Sequence, residues 1–119
     1  MKKDPKIFLS HILESIEEIE RNTDNISEKE FLTNITVQYA VVRRLEIIWE
    51  ATKNLPKSFK KNYPDIEWRK VAGLRDVIVH EYFGLSLKLI RRIVQNNIPE
   101  LKKQVSKILG SLEKSANIA

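Results

Sequence analysis

Four side chains with complementary chemistry lie within residues 75–82, which read RDVIVHEY. Histidine titrates near neutral pH and can move a proton, and arginine carries a permanent charge on a planar fork that suits phosphate. His80 could therefore assist a ribose 2′-hydroxyl in attacking the adjacent phosphate, while Arg75 holds the negative charge of the transition state. This pair would suffice for RNA cleavage without a metal ion.

If this segment is helical, its spacing divides the four side chains between faces. Asp76 and His80 are four residues apart and share a face, so the carboxylate can orient or charge the imidazole. Arg75 and Tyr82 are seven apart and also share a face, and the Tyr82 hydroxyl could contact RNA or accept a modification. Arg75 and His80 are five apart, so a helix start loosened by Gly73 would help both to reach one phosphate.

A structural interpretation of the same residues competes with the chemical one. An arginine and a histidine at this spacing also form salt bridges or packed polar pairs in many helical proteins. We interpret His11, the other histidine, as a surface or packing residue, and Trp49 and Trp68 as core or interface residues. Basic clusters are typical of solvated faces and form a groove only where the fold brings them beside Arg75 and His80: Arg43-Arg44, Lys57 to Lys61, Arg69-Lys70 and Arg91-Arg92.

The composition limits the classes to which the chain can belong. Its 119 residues fit one domain, 1–119, and the absence of cysteine excludes a disulfide framework, a thiolate zinc site and a cysteine nucleophile. Two histidines 69 residues apart and no paired-carboxylate motif disfavour a metal site, and we expect no cofactor. No apolar run approaches the roughly 20 residues of a membrane span, so we expect a cytoplasmic protein. The net charge of +5 is a mild bias toward polyanions such as RNA.

Helix signals dominate the N-terminal half of the chain. Asp4 and Pro5 are typical of an N-cap and first helical residue, and apolar residues recur at spacings of three and four as far as Ile19. Ser27 and Glu30 form a capping box. Because no glycine or proline follows before Pro56, we expect one long helix from about 27 to 54.

The second half is expected to consist of shorter helices. The connector 55–64 could hold a short helix, and Asp65 is predicted to cap another helix that Gly73 ends or bends. Ser86 can cap a further helix, and Asn97 and Pro99 predict a break before the last one. The element count and the short loops predict an all-α protein, an up-and-down helical bundle of four to five helices.

Residues 73–84, GLRDVIVHEYFG, resemble the motif region of the HepT-like toxins of the HEPN superfamily. That motif has an arginine, four to six residues, a histidine and, in the HepT branch, a tyrosine two residues later. The resemblance extends over nearly the whole chain, through Trp68, the Glu50-Ala51 step and the segment 98–101, IPEL.

The resemblance implies a HEPN-like bundle that dimerises, with two Arg/His pairs in a cleft at the interface, and homodimers that could assemble further. It implies a toxin that is a metal-independent endoribonuclease with RNA as substrate. Arg75 and His80 would be the catalytic pair and Asp76 a polar helper. A cognate MntA-like nucleotidyltransferase antitoxin would transfer AMP from ATP to Tyr82, adding charge and bulk where an RNA phosphate must sit.

Four residues depart from the family pattern. Ser86 stands where an acidic residue is common, Leu89 and Ile90 where a tryptophan is frequent, and Trp49 where a glycine is more usual. All four lie outside the set of Arg75, His80 and Tyr82.

Two other functions stay open from the sequence. The chain could be a non-catalytic nucleotide- or substrate-binding partner subunit of a minimal nucleotidyltransferase. It could also be a structural helical dimer in which Arg75, Asp76 and His80 form a buried polar network.

Overall fold

The computed structural model describes residues 4–76 and 87–118, with the backbone alone for 116–118. These ranges contain helices and no β-strand, which confirms the all-α prediction. None of the helices is long and apolar enough to cross a membrane within the ranges described. In chain order the helices are α1 Pro5–Thr23, α2 Glu28–Thr33, α3 Ile35–Asn54, α4 Lys57–Lys61, α5 Trp68–Ala72, α6 Leu87–Arg92 and α7 Ile98–Ile118, with a π-helical segment Ile93–Asn97 between α6 and α7.

The first two helix starts follow the local rules of capping. The Asp4 carboxylate accepts a hydrogen bond from the backbone N–H of Lys6 at 3.0 Å, and Pro5 is the first helical residue. The Ser27 hydroxyl accepts from the backbone N–H of Glu30 at 3.1 Å and donates to its carboxylate at 3.2 Å. Both predicted caps are therefore confirmed.

The single helix predicted over 27–54 is wrong, because Asn34 divides it into α2 and α3. Asn34 has an extended backbone (φ −103°, ψ 97°), and its side-chain oxygen accepts from the N–H of Val37 at 3.1 Å. An asparagine side chain competes in this way with the helical backbone and can start a new helix. The Gln38 amide donates to the carbonyl of Phe31 at 2.8 Å, which ties the two helices together across the break.

The start of α5 also differs from the prediction. The predicted cap, Asp65, lies outside the helix, which begins at Trp68 with Glu67 before it and no side-chain capping bond. The buried side chain of Ile66, 3% exposed, holds the residues between them against the core instead. The predicted end is confirmed, since α5 stops at Ala72 and the N–H of Gly73 donates to helix carbonyls.

The break predicted at Asn97 and Pro99 does not occur. The helix passes through the π-helical segment, in which the N–H of Ile98 donates to the carbonyl of Ile93, and Pro99 lies in the first turn of α7. A proline lacks an N–H and its ring opposes the carbonyl four residues earlier. A π-turn widens the backbone at that point and relieves the conflict without ending the helix.

The core lies where α1 packs along α3 and against α7. Each of these helices buries one apolar stripe, which follows the periodicity of an amphipathic helix. The edges of α1 and α3 outside this stripe carry exposed polar side chains, among them His11 and Glu50. The fully buried residues on these helices include Leu9, Ile12, Ile16, Ile19, Val41, Leu45, Ile48 and Val105.

Candidate functional site

Arg75 is placed by a short helical stretch, residues 74–76, that follows Gly73. Leu74 is buried in the core, 7% exposed, and the N–H of Asp76 donates to the carbonyl of Gly73 at 3.0 Å. Arg75, next to the buried leucine, is exposed. The stretch is therefore held by its leucine, and the arginine is directed away from the core.

The guanidinium of Arg75 lies over the ring of Trp49, with its Cζ 5.5 Å from the ring centroid. The Nζ of Lys53 lies 5.2 Å from the same ring. Cations at this distance are attracted by the electron-rich face of the indole, most strongly where water is partly excluded. Trp49 is half-buried rather than part of the core, and it limits the orientations open to Arg75.

Arg75 and Trp49 border a cleft of about 530 Å³. The cleft is formed by α1, by α3 and by the stretch that carries Arg75. Its lining mixes acidic, basic, aromatic and apolar side chains: Phe8, His11, Arg43, Glu46, Ile47, Trp49, Glu50, Ala51, Asn54 and Arg75.

The polar side of the cleft is a stripe along α3. Arg43, Glu46, Glu50 and Asn54 follow one another at spacings of three, four and four, which places them on one helical face. Arg43 and Glu46 form an exposed ion pair at 3.6 Å. The stripe is visible in the sequence as a polar face of α3, although nothing in the sequence shows that Arg75 lies against it.

His11 is a cleft residue that the sequence interpretation did not assign to the site. It is exposed on α1 and lines the cleft with Arg75 because α1 packs along α3. No local signal marks it, since its position depends on how the two helices are aligned. An imidazole there could exchange protons with a bound molecule.

The other predicted site residues are only partly covered by the structure. Asp76 is exposed beside Arg75. His80 and Tyr82 lie outside the described residues, as does Ser86, so their predicted roles stay predictions. Among residues 4–76 and 87–118, no group of three or more histidine, aspartate and glutamate side chains could share a metal ion.

The basic clusters are divided between different surfaces. Arg43 lines the cleft with Arg75. Arg91 instead donates to the backbone carbonyl of Ile26 at 3.3 Å, which joins α6 to the turn before α2. Residues 57–61 and 67–70 share a separate groove.

Comparisons with known proteins point to one family. The model of the family described as "Ribonuclease HepT-like" matches residues 12–108. The "Probable ribonuclease HepT" of Thermococcus cleftensis is 43% identical over 108 residues, which are 91% of this chain and 98% of that protein. A Methanocaldococcus jannaschii protein named "Gamma-glutamylcyclotransferase and putative RNase" is 47% identical over 117 residues, 98% of this chain but 53% of its own length. No solved structure matches the chain.

Proposed function

Because this chain belongs to the HepT-like ribonuclease family, we propose that it is a metal-independent endoribonuclease that cleaves RNA at the cleft beside Arg75. The observation that carries the proposal is the Arg75 guanidinium, held over Trp49 at the edge of this cleft. The relative from Thermococcus cleftensis, which matches over nearly its whole length, is named as a ribonuclease alone. The longer relative is named for two activities, and this chain matches about half of that protein's length.

In the proposed reaction the RNA supplies its own nucleophile. His80 would accept the proton of the 2′-hydroxyl as its oxygen bonds to the adjacent phosphorus, and Arg75 would stabilise the charge that builds on the non-bridging oxygens. The bond from phosphorus to the 5′-oxygen then breaks, and that oxygen would take a proton from the protonated His80 or from water. The products would be a 2′,3′-cyclic phosphate and a 5′-hydroxyl. Asp76 would orient or charge His80 from the preceding turn.

The proposal extends to a toxin that a partner enzyme silences. Tyr82 would accept AMP from an MntA-like nucleotidyltransferase antitoxin, and a homodimer would bring two Arg75/His80 pairs together. Ile35 and Tyr39, four residues apart at the start of α3, are each 58% exposed. Such an apolar pair supports the proposal of a dimer, because a second copy of the chain could cover it.

RNA cleavage by the purified protein in EDTA tests the proposal. We expect the wild type to produce 2′,3′-cyclic phosphate ends and both Arg75→Ala and His80→Ala to lose cleavage while remaining folded. Arg92→Ala, which removes an exposed arginine from α6, is the matched control and should cleave normally. Cleavage by both site variants at the wild-type rate would contradict the proposal. The intact mass of each preparation shows whether AMP already occupies Tyr82.

The cleft also supports a second candidate function, that of a nucleotide-binding partner subunit without catalytic activity. The ring of Trp49 with the guanidinium of Arg75 beside it, in a cleft of about 530 Å³ that Arg43 also lines, offers an aromatic surface and phosphate-binding charges. Calorimetric titration of the unmodified protein with ATP and AMP separates the two functions. Tight binding without RNA cleavage would favour the binding subunit.

A further inference from the structure

A second charged region lies on α4 and α5, away from the cleft. Five cationic side chains border one open groove of about 710 Å³: Lys57, Lys60 and Lys61 from α4, and Arg69 and Lys70 from α5. We call these five residues together with Trp68 the lysine surface. Four of the five cations are exposed and Lys60 is half-buried.

The lysine surface has more positive charge than the described residues around it neutralise. Glu67 is the acidic residue that lines the groove in the described part of the chain, and its carboxylate is paired with the Nζ of Lys70 at 2.8 Å. Within residues 4–76 and 87–118, no carboxylate forms an ion pair with the other four cations. Partial burial, together with the charge of Lys57, lowers the pKa of Lys60. A bound anion would relieve both the repulsion and the missing hydration.

Trp68 gives the groove a rigid aromatic component. Its indole N–H points between two backbone carbonyls and donates to those of Lys60 at 3.2 Å and Tyr63 at 3.1 Å, so α5 is fastened to α4. The half-buried ring also lines the groove. Aromatic rings beside a row of cations are the combination by which proteins bind single-stranded nucleic acids, with bases stacked and phosphates paired.

The chain connects the lysine surface to the cleft at both ends. Helix α4 follows the last turn of α3, where Lys53 lies against Trp49. Helix α5 contacts α3, and three residues after its end comes Arg75. The two regions are therefore linked by a few residues at either end, which is the basis for proposing one continuous path for a strand.

We propose that the lysine surface binds the phosphate backbone of single-stranded RNA and leads the strand to the cleft beside Arg75. The occupant is an unpaired strand because the groove offers a ring for an exposed base, which a duplex does not present. The guiding role rests on the proposed ribonuclease function, whereas the binding itself does not require cleavage.

Binding is tested with the full-length protein and a fluorescent 2′-O-methyl RNA, which lacks the attacking hydroxyl and cannot be cleaved. The triple variant Lys57→Gln, Lys60→Gln, Lys61→Gln should lower the affinity by about tenfold or more, measured by anisotropy. For the triple variant, the slope of log affinity against log salt concentration should be shallower by about two, since each phosphate contact on a single strand contributes about 0.7 to this slope.

The matched control removes the same charge elsewhere: Lys29→Gln on α2 with Lys103→Gln and Lys107→Gln on α7, all exposed positions. This variant should stay within about twofold of the wild type in affinity. Equal losses in both triple variants would overturn the proposal, because they would show that net charge alone attracts RNA. Tighter binding to the duplex form, or to vesicles of anionic lipid, would overturn it as well.

Two further measurements separate this proposal from the function on which its guiding role rests. In Trp49→Phe, Trp68 is the remaining tryptophan, and its fluorescence should be quenched by the bound strand. Where the wild type cleaves RNA, the lysine triple should raise KM by about tenfold and change kcat by less than about twofold. If the protein binds RNA at the lysine surface but cleaves no RNA, the proposed ribonuclease function is contradicted and the proposed binding surface is retained. If the protein cleaves RNA and the two triple variants do not differ in KM or in RNA affinity, the proposed binding surface is contradicted and the ribonuclease function is retained.

Discussion

The cleft beside Arg75 and the lysine surface are two charged regions that differ in the balance of positive and negative side chains. The cleft sets both signs of charge against each other, with Arg43 paired to Glu46 and a cation held over Trp49. Among the described residues, the groove of the lysine surface is lined by five cations and one acid, Glu67, which is already paired with Lys70. Mixed charge with fixed orientation favours one geometry of one bound group, whereas charge of one sign attracts any polyanion at long range. This difference supports the proposals of catalysis at the cleft and of RNA capture at the lysine surface.

The two regions also differ in how the fold supports them. The cleft is lined from α1, α3 and the stretch anchored by Leu74, all of which contribute residues to the core. Helices α4 and α5 have five residues each and contribute no fully buried side chain. Changes in the core should therefore disturb the cleft before they disturb the lysine surface.

The largest expected effect separates chemistry from binding at Arg75. In Arg75→Lys the charge remains, but the planar fork that spans two phosphate oxygens is lost. We expect kcat for RNA cleavage to fall on the order of 100-fold, with the affinity for uncleavable RNA within about twofold of the wild type. An equal fall in affinity would show that Arg75 holds the substrate as much as the transition state.

A core substitution should disturb one region more than the other. Leu74→Ala removes a buried side chain next to Arg75 and should lower the free energy of unfolding by about 2 kcal/mol, measured in urea. Cleavage should fall further than the unfolded fraction explains, while RNA affinity under folding conditions is retained. If cleavage and RNA affinity fall by the same factor, the cleft and the lysine surface depend equally on the core.

A smaller effect is expected at Trp49, whose contribution is the face it offers to Arg75. Trp49→Leu should lower kcat by about tenfold, and Trp49→Phe, which keeps an aromatic face, by less than about threefold. The salt dependence of RNA binding should not change in either variant. Equal activity of the two variants would argue that the volume of the side chain matters rather than its ring.

The smallest effect is expected outside both regions, at the ion pair between Lys102 and Glu20, 2.8 Å apart. The hydrogen bond to Glu20 raises the pKa of Lys102, so the stabilisation is complete below the ordinary lysine pKa and is lost as pH rises through the raised value. Both groups are exposed, and Lys102→Gln at neutral pH should move Tm by no more than about 1 °C. The Lys102→Gln variant should cleave RNA at the wild-type rate and bind RNA with the wild-type affinity.

The features that could be predicted from the sequence were those that adjacent residues decide. Asp4, Ser27 and Gly73 act on backbone groups within four residues, so the two helix starts and the end of α5 followed from local rules. The break at Asn34 was missed because an asparagine inside an apolar pattern is compatible with a continuous helix until its side chain is seen to cap the next one.

The composition of the site was less accessible, because it depends on contacts between distant residues. Arg75 could be selected by its type and spacing, but its contact with Trp49 joins residues 26 apart along the chain. His11 was interpreted as a surface or packing residue, because only the packing of α1 along α3 places it in the cleft. The lysine surface likewise required the fold, which sets two separate basic clusters on one groove.

The π-helical segment Ile93–Asn97 has a consequence for how this chain can change in length. The buried residues of the C-terminal helices are Ile90, Ile93, Ile98, Leu101, Val105 and Ile108, with gaps of three, five, three, four and three. The gap of five would rotate the following apolar stripe away from the core in an uninterrupted α-helix, and the wider turn brings it back into phase. The segment thus absorbs one surplus residue. A variant that lacks the exposed Asn96 would restore a gap of four and keep both halves of the stripe on the core, but it would return Pro99 to a plain helical turn, so we expect this shortening to be tolerated best together with Pro99→Ala.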